Sequence, residues 1–289
     1  MKYIYRFSVL STNTSAVRYN FAKPFIIYTY RQTAGKGMGT NSWFTGRGKN
    51  IALSLCFQPV FLKPEEQFLL NMALSNALRS ALQMLVGNRD GSDGGDSAAA
   101  DIVGSSGVDT SSRIGNSAAA DIPQVFLKWP NDVYIGNKKL AGILFENKIS
   151  SGSGEDGLGE FSKSIIGIGI NINQKKFPEH IPNPTSLQVA TGQKFCKKKI
   201  VHTLGSALEN AYNNLAINIA KNGYQYVWDK YKKEYLSSLL YYGIERDFIY
   251  KNTPVTGKIT DVDNFGRLII SVKDSATLKC DIKDLKFIL

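Results

Sequence analysis

Lys128 ends an apolar run in "FLKWPNDVYIGNKKLAGILFE" (126–146) and is followed at once by Trp-Pro-Asn-Asp. Pro130 biases Trp129 towards extended backbone, and Asn131-Asp132 favour a turn, so Lys128 is expected at a strand end. An ammonium there can leave the sheet margin and meet an anion. A plain surface lysine before a turn is the other reading of that residue taken alone.

Three further segments carry polar or backbone chemistry. In "IIGIGININ" (165–173), Ile166, Ile168, Ile170 and Ile172 would fill one face of a strand. Gly167, Gly169, Asn171 and Asn173 would form the other. Bare backbone on one face suggests close approach of a ligand or of another element, and the two remain open. Ala141 and Gly142 of "KLAGIL" (139–144) repeat the pattern more weakly. In "RQTAGKGMGTNSW" (31–43), Gly35, Gly37 and Gly39 alternate around Lys36 and Met38. Such a loop can offer N–H groups and a cation to phosphate, although it fits neither the P-loop nor the dinucleotide fingerprint. Ser11, Thr12 and Asn13 follow a first strand; a helix N-cap is one reading, a polar ring around a ligand head group the other.

The elements that must position these residues are short strands at 24–31, 51–58, 125–129, 133–135, 139–146 and 164–173. Gly136-Asn137 is a two-residue hairpin signal. Pro64 opens a helix whose Leu70, Leu74, Ala77, Ala81 and Leu85 share a face and which ends near Gly87. Ile200, Leu204, Leu208, Ala211, Leu215 and Ile219 mark a second helix, and 224–240 a third. Beyond residue 243 the texture is all strand. Residues 87–122 turn to Gly, Ser, Asp and Ala, with "GDSAAADI" (95–102) returning as "GNSAAADI" (115–122). Two polar copies cannot stack into a solenoid, so this reads as a disordered surface insertion.

The 289 residues, 43% of them hydrophobic, suffice for a large folded domain and a small one. Cys56, Cys196 and Cys280 are odd in number and far apart, and only His180 and His202 accompany them. They make neither a zinc site nor a disulfide framework, and a reducing cytoplasm is the default compartment. No stretch approaches the roughly 20 apolar residues of a membrane span, and the opening lacks a signal cleavage pattern. The net charge of +11 is dispersed. Its clusters, "KFCKKK" (194–199) and "KYKK" (230–233), read as solvated helix faces or as docking surfaces for an acidic partner. A basic nucleic-acid-binding protein without catalysis would need arginines interleaved with stacking aromatics on one face, which are not found.

Taken in order, "STN", "QTAGKGMGTNSW", "KWPND", "KLAGIL" and "GIGIN" resemble the biotin protein ligases, with "KWPND…KLAGIL" the most specific part. The resemblance runs from about residue 4 to the C-terminus and skips the insertion. It implies an α/β fold: a mixed-sheet catalytic domain over 1–242 of the class II synthetase and biotin ligase type, and a small SH3-like β-barrel over 243–289. The form without a DNA-binding domain is expected, so no DNA partner. The implied reaction activates biotin with ATP and Mg²⁺ as biotinyl-5′-AMP, then biotinylates a lysine of a carboxyl carrier domain of acetyl-CoA carboxylase or a relative. A lipoate or octanoate ligase on the same fold is the nearest alternative, and "KWPND" speaks against it.

By the same resemblance Lys128 contacts the biotin carboxylate and phosphate, and Lys36 binds phosphate when the glycine loop closes; both are assigned to catalysis. Ser11, Thr12, Asn13 and Gln32, with Lys36, Gly37, Met38 and Lys128, are the implied biotin-binding set. Gly35, Lys36, Gly37, Trp43, Asn131 and Asn171 are the implied nucleotide-binding set. No protein cage for metal is expected, Mg²⁺ arriving with ATP. A homodimer stays open. One departure stands out: Met38 occupies a position where many members carry arginine, and methionine cannot pair with phosphate.

Overall fold

The computed structural model describes residues 1–88, 122–150, 159–272 and 277–289. The strands are β1 (Lys2–Tyr5), β2 (Phe25–Thr29), β3 (Gly35–Lys36), β4 (Ser42–Trp43), β5 (Ile51–Phe57), β6 (Val125–Lys128), β7 (Asp132–Ile135), β8 (Lys138–Ser150) and β9 (Glu160–Ile170). A second group follows: β10 (Glu245–Tyr250), β11 (Thr253–Val262), β12 (Leu268–Val272), β13 (Leu278–Cys280) and β14 (Leu285–Phe287). The helices are α1 (Thr12–Ala16), α2 (Gln67–Gly87), α3 (Leu187–Thr191), α4 (Lys197–Asn222) and α5 (Tyr224–Ser238).

Seven strands form one mixed sheet in the order β1-β2-β5-β9-β8-β7-β6. Only β1 and β2 pair parallel; every other neighbour in it is antiparallel. The alternation in β5 and β9 sets the two faces. Leu53, Leu55, Ile166, Ile168 and Ile170 join the main core with α2 and α4 residues such as Leu70, Leu74, Leu204 and Leu208. Each fully buried side chain of this kind contributes about 1.5–3 kcal/mol of apolar burial. The opposite face is thin, and α1 covers part of it through Ala16 against Ile27, Cys56 and Ile165. Its remainder is the floor of a cleft.

Several expectations shift in detail. Pro64 opens a 3₁₀ turn (Pro64–Glu66), and α2 proper starts at Gln67. Ser11 is the N-cap residue of α1 by position, but its hydroxyl makes no capping bond. The glycine segment is a small hairpin, with β3 pairing β4 and Gly37 N–H donating to the Asn41 carbonyl at 2.8 Å. The C-terminal strands form an antiparallel sheet in the order β13-β12-β11-β10-β14. The small β-barrel expected here is this five-stranded sheet, with no pairing of β13 with β14 among the described residues. Most of the expected insertion, residues 89–121, lies outside the described residues. Among the described residues no helix is long and apolar enough to cross a membrane.

Candidate functional site

Lys128 is the last residue of β6 and pairs with Asp132, the first of β7. Trp129, Pro130 and Asn131 make the turn between them, with a cis peptide bond at Trp129–Pro130. Three contacts pin this turn. The indole N–H of Trp129 donates to the Gly266 carbonyl of the C-terminal sheet at 2.8 Å. The Tyr235 hydroxyl of α5 donates to the Pro130 carbonyl at 3.3 Å. Asn131 brackets β8, its amide donating to the Ile143 carbonyl while its own carbonyl accepts from Ile143 N–H at 2.8 Å. Lys128 is therefore delivered from a fixed turn into a cleft of about 250 Å³. That is slightly under the roughly 300–1,000 Å³ common for small-molecule pockets, room for one compact ligand.

Ser11, Thr12, Asn13 and Gln32 line this cleft, as do Lys36, Gly37, Met38, Trp43 and Asn131. With Gly167 and Gly169 of β9, four segments distant in sequence thus meet. Gln32 Oε1 accepts from Thr12 N–H at 2.9 Å and from the Thr12 hydroxyl at 3.3 Å. The Asn13 carboxamide is oriented at both ends: its Oδ1 accepts from the Ser54 hydroxyl at 2.6 Å and its Nδ2 donates to Glu146 at 2.5 Å. Such a chain fixes which end is donor and which is acceptor, leaving one N–H and one lone pair for a ligand.

The bare face of β9 has a definite tenant. A Cβ on Gly167 would overlap the Asn13 carboxamide, and one on Gly169 would overlap the Trp43 indole; Gly142 of β8 also faces Trp43. The glycines seat these two side chains. Of the two alternatives at this face, a ligand or another element, side chains of the protein are seen against the glycines, and both glycines also line the cleft. Trp43 lies on the floor with its indole N–H buried and unpartnered. An unpaired buried donor costs about 1–3 kcal/mol, so this N–H is a ready anchor for an acceptor.

Two expected residues do not line the cleft. Asn171 lies just past the end of β9 and is buried, its Oδ1 accepting from Asn50 Nδ2 at 3.1 Å. Asn50 also donates to Gln174 at 2.6 Å and accepts from Ile172 N–H, so Asn171 belongs to a buried polar knot that ends the strand. Asn173 likewise exchanges bonds with the Phe195 backbone. Gly35 is buried where a Cβ would strike Gln32 and the Trp43 carbonyl, so it allows close packing of the hairpin base.

The structure adds residues that sequence reasoning missed. Lys139 brings a second ammonium, paired with Asp132 at 2.7 Å and 5.6 Å from the Trp43 ring. Asp132 had been read only as a turn former and Lys139 only as part of a quoted motif; their alternation on β7 and β8 was the available signal. Leu285 and Phe287 of β14, and Ile282 in the turn before it, wall the same cleft, and no local pattern announces that. Lys128 Nζ sits 4.3 Å from the Phe287 ring centroid and 5.7 Å from that of Tyr134. Burial holds its pKa below the usual lysine range; Asp132 pulls it up and Lys139 pushes it further down. Among the described residues no three of His, Cys, Asp or Glu gather to hold a metal ion.

A site of convergent hydroxyls, amides and ammonium groups on this mixed sheet defines a small-molecule-binding α/β domain. Comparison places it: a family model of the biotin/lipoate A/B protein ligase family matches residues 7–158, and the chain belongs to that family. The bifunctional ligase/repressor BirA of Bacillus spizizenii is 28% identical over 218 residues, which is 73% of this chain and 54% of that protein. BirA of Bacillus subtilis is 27% identical over 193 residues, 65% of this chain and 46% of that one. The chain thus spans about half the length of the curated relatives it matches. Among solved structures, biotin protein ligase from Aquifex aeolicus in complex with biotin and ATP superposes with TM-score 0.68 at 21% identity, covering 99% of this chain and 97% of that one. The Leishmania major biotin protein ligase with biotin gives 0.54 at 18%, covering 97% and 98%. These likenesses carry the fold.

Proposed function

We propose that this protein is an ATP-dependent biotin ligase that forms biotinyl-5′-AMP and passes biotin to a lysine of a carboxyl carrier domain. The observation that carries the reading is Lys128: a partly buried ammonium with no carboxylate in ion-pair range among the described residues, in the same cleft as a hydroxyl–amide set suited to a ureido ring. In the first step a biotin carboxylate oxygen bonds to the α-phosphorus of ATP and the bond to the β-phosphate bridging oxygen breaks, releasing pyrophosphate. Two anions must approach, and Lys128, with Lys139 and Lys36 near, offsets their repulsion. In the second step a carrier lysine amine attacks the mixed-anhydride carbonyl; AMP leaves and the amine gives up a proton. The carboxylate is ionised from the start, so placement and fixed charge supply most of the rate. The relatives solved with biotin, and with biotin and ATP, support the ligand assignment.

The assay is exchange of labelled pyrophosphate into ATP, run with biotin, lipoate or octanoate, followed by transfer to a biotin carboxyl carrier domain. Exchange that depends on biotin and transfer to the carrier are expected. Exchange with lipoate or octanoate but not biotin would move the protein to the other branch of its family, and none with any acid would overturn the proposal.

A further inference from the structure

The contact between Lys128 and Phe287 crosses from the mixed sheet to the C-terminal sheet. Phe287 is the last residue of β14, and β14 pairs with β10 so that Phe287 lies opposite Phe248. The two rings meet edge to face, centroids 5.3 Å apart at 87°, and Phe248 is buried. The Phe287 ring is thereby held in one pose, 4.3 Å from the Lys128 ammonium. Gly266, in the turn between β11 and β12 of the same sheet, holds the neighbouring Trp129. The C-terminal sheet thus grips both the backbone turn and the cation it carries.

We propose that Phe287 is a positioning residue for Lys128: its ring face holds the ammonium at the cleft without neutralising it, leaving the charge free for an anionic ligand. A carboxylate at that position would form a buried ion pair that a substrate would have to break. A ring face stabilises the cation electrostatically yet offers no lone pair, so the hydrogen-bond donors stay available. The groups that face Lys128 are Asp132 and Tyr134 from β7 and Lys139 from β8, while the exposed Lys36 of β3 lines the same cleft. Asp132 is itself taken by Lys139. From the C-terminal segment only the apolar Ile282, Leu285 and Phe287 reach the cleft; Asp281, Lys283 and Lys286 are exposed, and Asp284 lies by Lys251. Phe287 thus stands beside Asp132 as a counterweight to the burial that disfavours the charged form.

The proposal rests on the ligase reading only for the identity of the anion, and its test reads Lys128 directly. Trace acetic anhydride labelling of the intact protein across pH, quantified by peptide mass spectrometry, gives the Lys128 titration midpoint. Phe287→Leu keeps an apolar neighbour and removes the ring; Phe287→Met is a second ring-free variant should the first fold poorly; Phe287→Trp restores a ring. A desolvated cation–ring contact corresponds to about one pH unit, so the midpoint should fall by that amount in the ring-free variants and return in Phe287→Trp. An unchanged midpoint in the folded ring-free variant, or an equal fall in all three, overturns the proposal. The basic limb of biotin-dependent pyrophosphate exchange should move with the midpoint. Absence of exchange in the unaltered protein would count against the ligase reading while the labelling still decides the role of Phe287.

Discussion

The indole of Trp129 hydrogen-bonds the carbonyl of Gly266, a link of 2.8 Å between the turn that carries Lys128 and the C-terminal sheet. Both ends are buried: Trp129 is 2% exposed, and Gly266 lies against the Phe68 ring at a φ of +81° that favours glycine. Trp129→Phe keeps most of the buried surface but orphans the carbonyl. A loss of about 1–3 kcal/mol is expected, read as a melting temperature lower by a few degrees. An unshifted melt would show that water or another donor replaces the indole.

Lys128→Met separates stability from activity. The variant removes a partly buried charge that has no carboxylate partner among the described residues, so it should be as stable as the parent or more so, while exchange falls by roughly a hundredfold or more. The pH dependence has a definite sign. The folded-state pKa of Lys128 is below its unfolded value, so folding is penalised while the group is protonated in both states. The penalty is fully present below the folded pKa and is relieved as pH rises from there to the unfolded value near 10.4. Urea denaturation should therefore show the advantage of Lys128→Met at pH 7 shrinking towards pH 10; a constant difference would contradict it.

Gly167→Ala and Gly169→Ala probe the two tenants of the β9 face. The first should displace the Asn13 carboxamide from Ser54 and Glu146 and raise KM for the acid substrate with little effect on kcat. The second should push out the Trp43 indole, changing tryptophan fluorescence and costing about 1–3 kcal/mol of stability. Normal kinetics and fluorescence in both would mean that the side chains yield without consequence.

Met38 lies in the turn joining β3 to β4 and lines the cleft. On the proposed ligase reading, an adenylate intermediate should be held loosely with no charge there. Met38→Arg should lower the release of activated biotin, trapped with a primary amine during turnover. Equal trapping in both proteins would remove Met38 as the cause.

The sequence by itself determined the strand-end placement of Lys128, the hairpin at Gly136-Asn137, the isoleucine face of β9 and the motif order that marks the family. These are local: proline and turn chemistry, period-two alternation and spacing act within a few residues. The tertiary structure alone decided that Gly167 and Gly169 seat Asn13 and Trp43, that Asn171 is consumed by Asn50, and that Phe287 stands over Lys128. Each of those depends on which distant segment fills a given space, and close packing resolves that only when those segments come together.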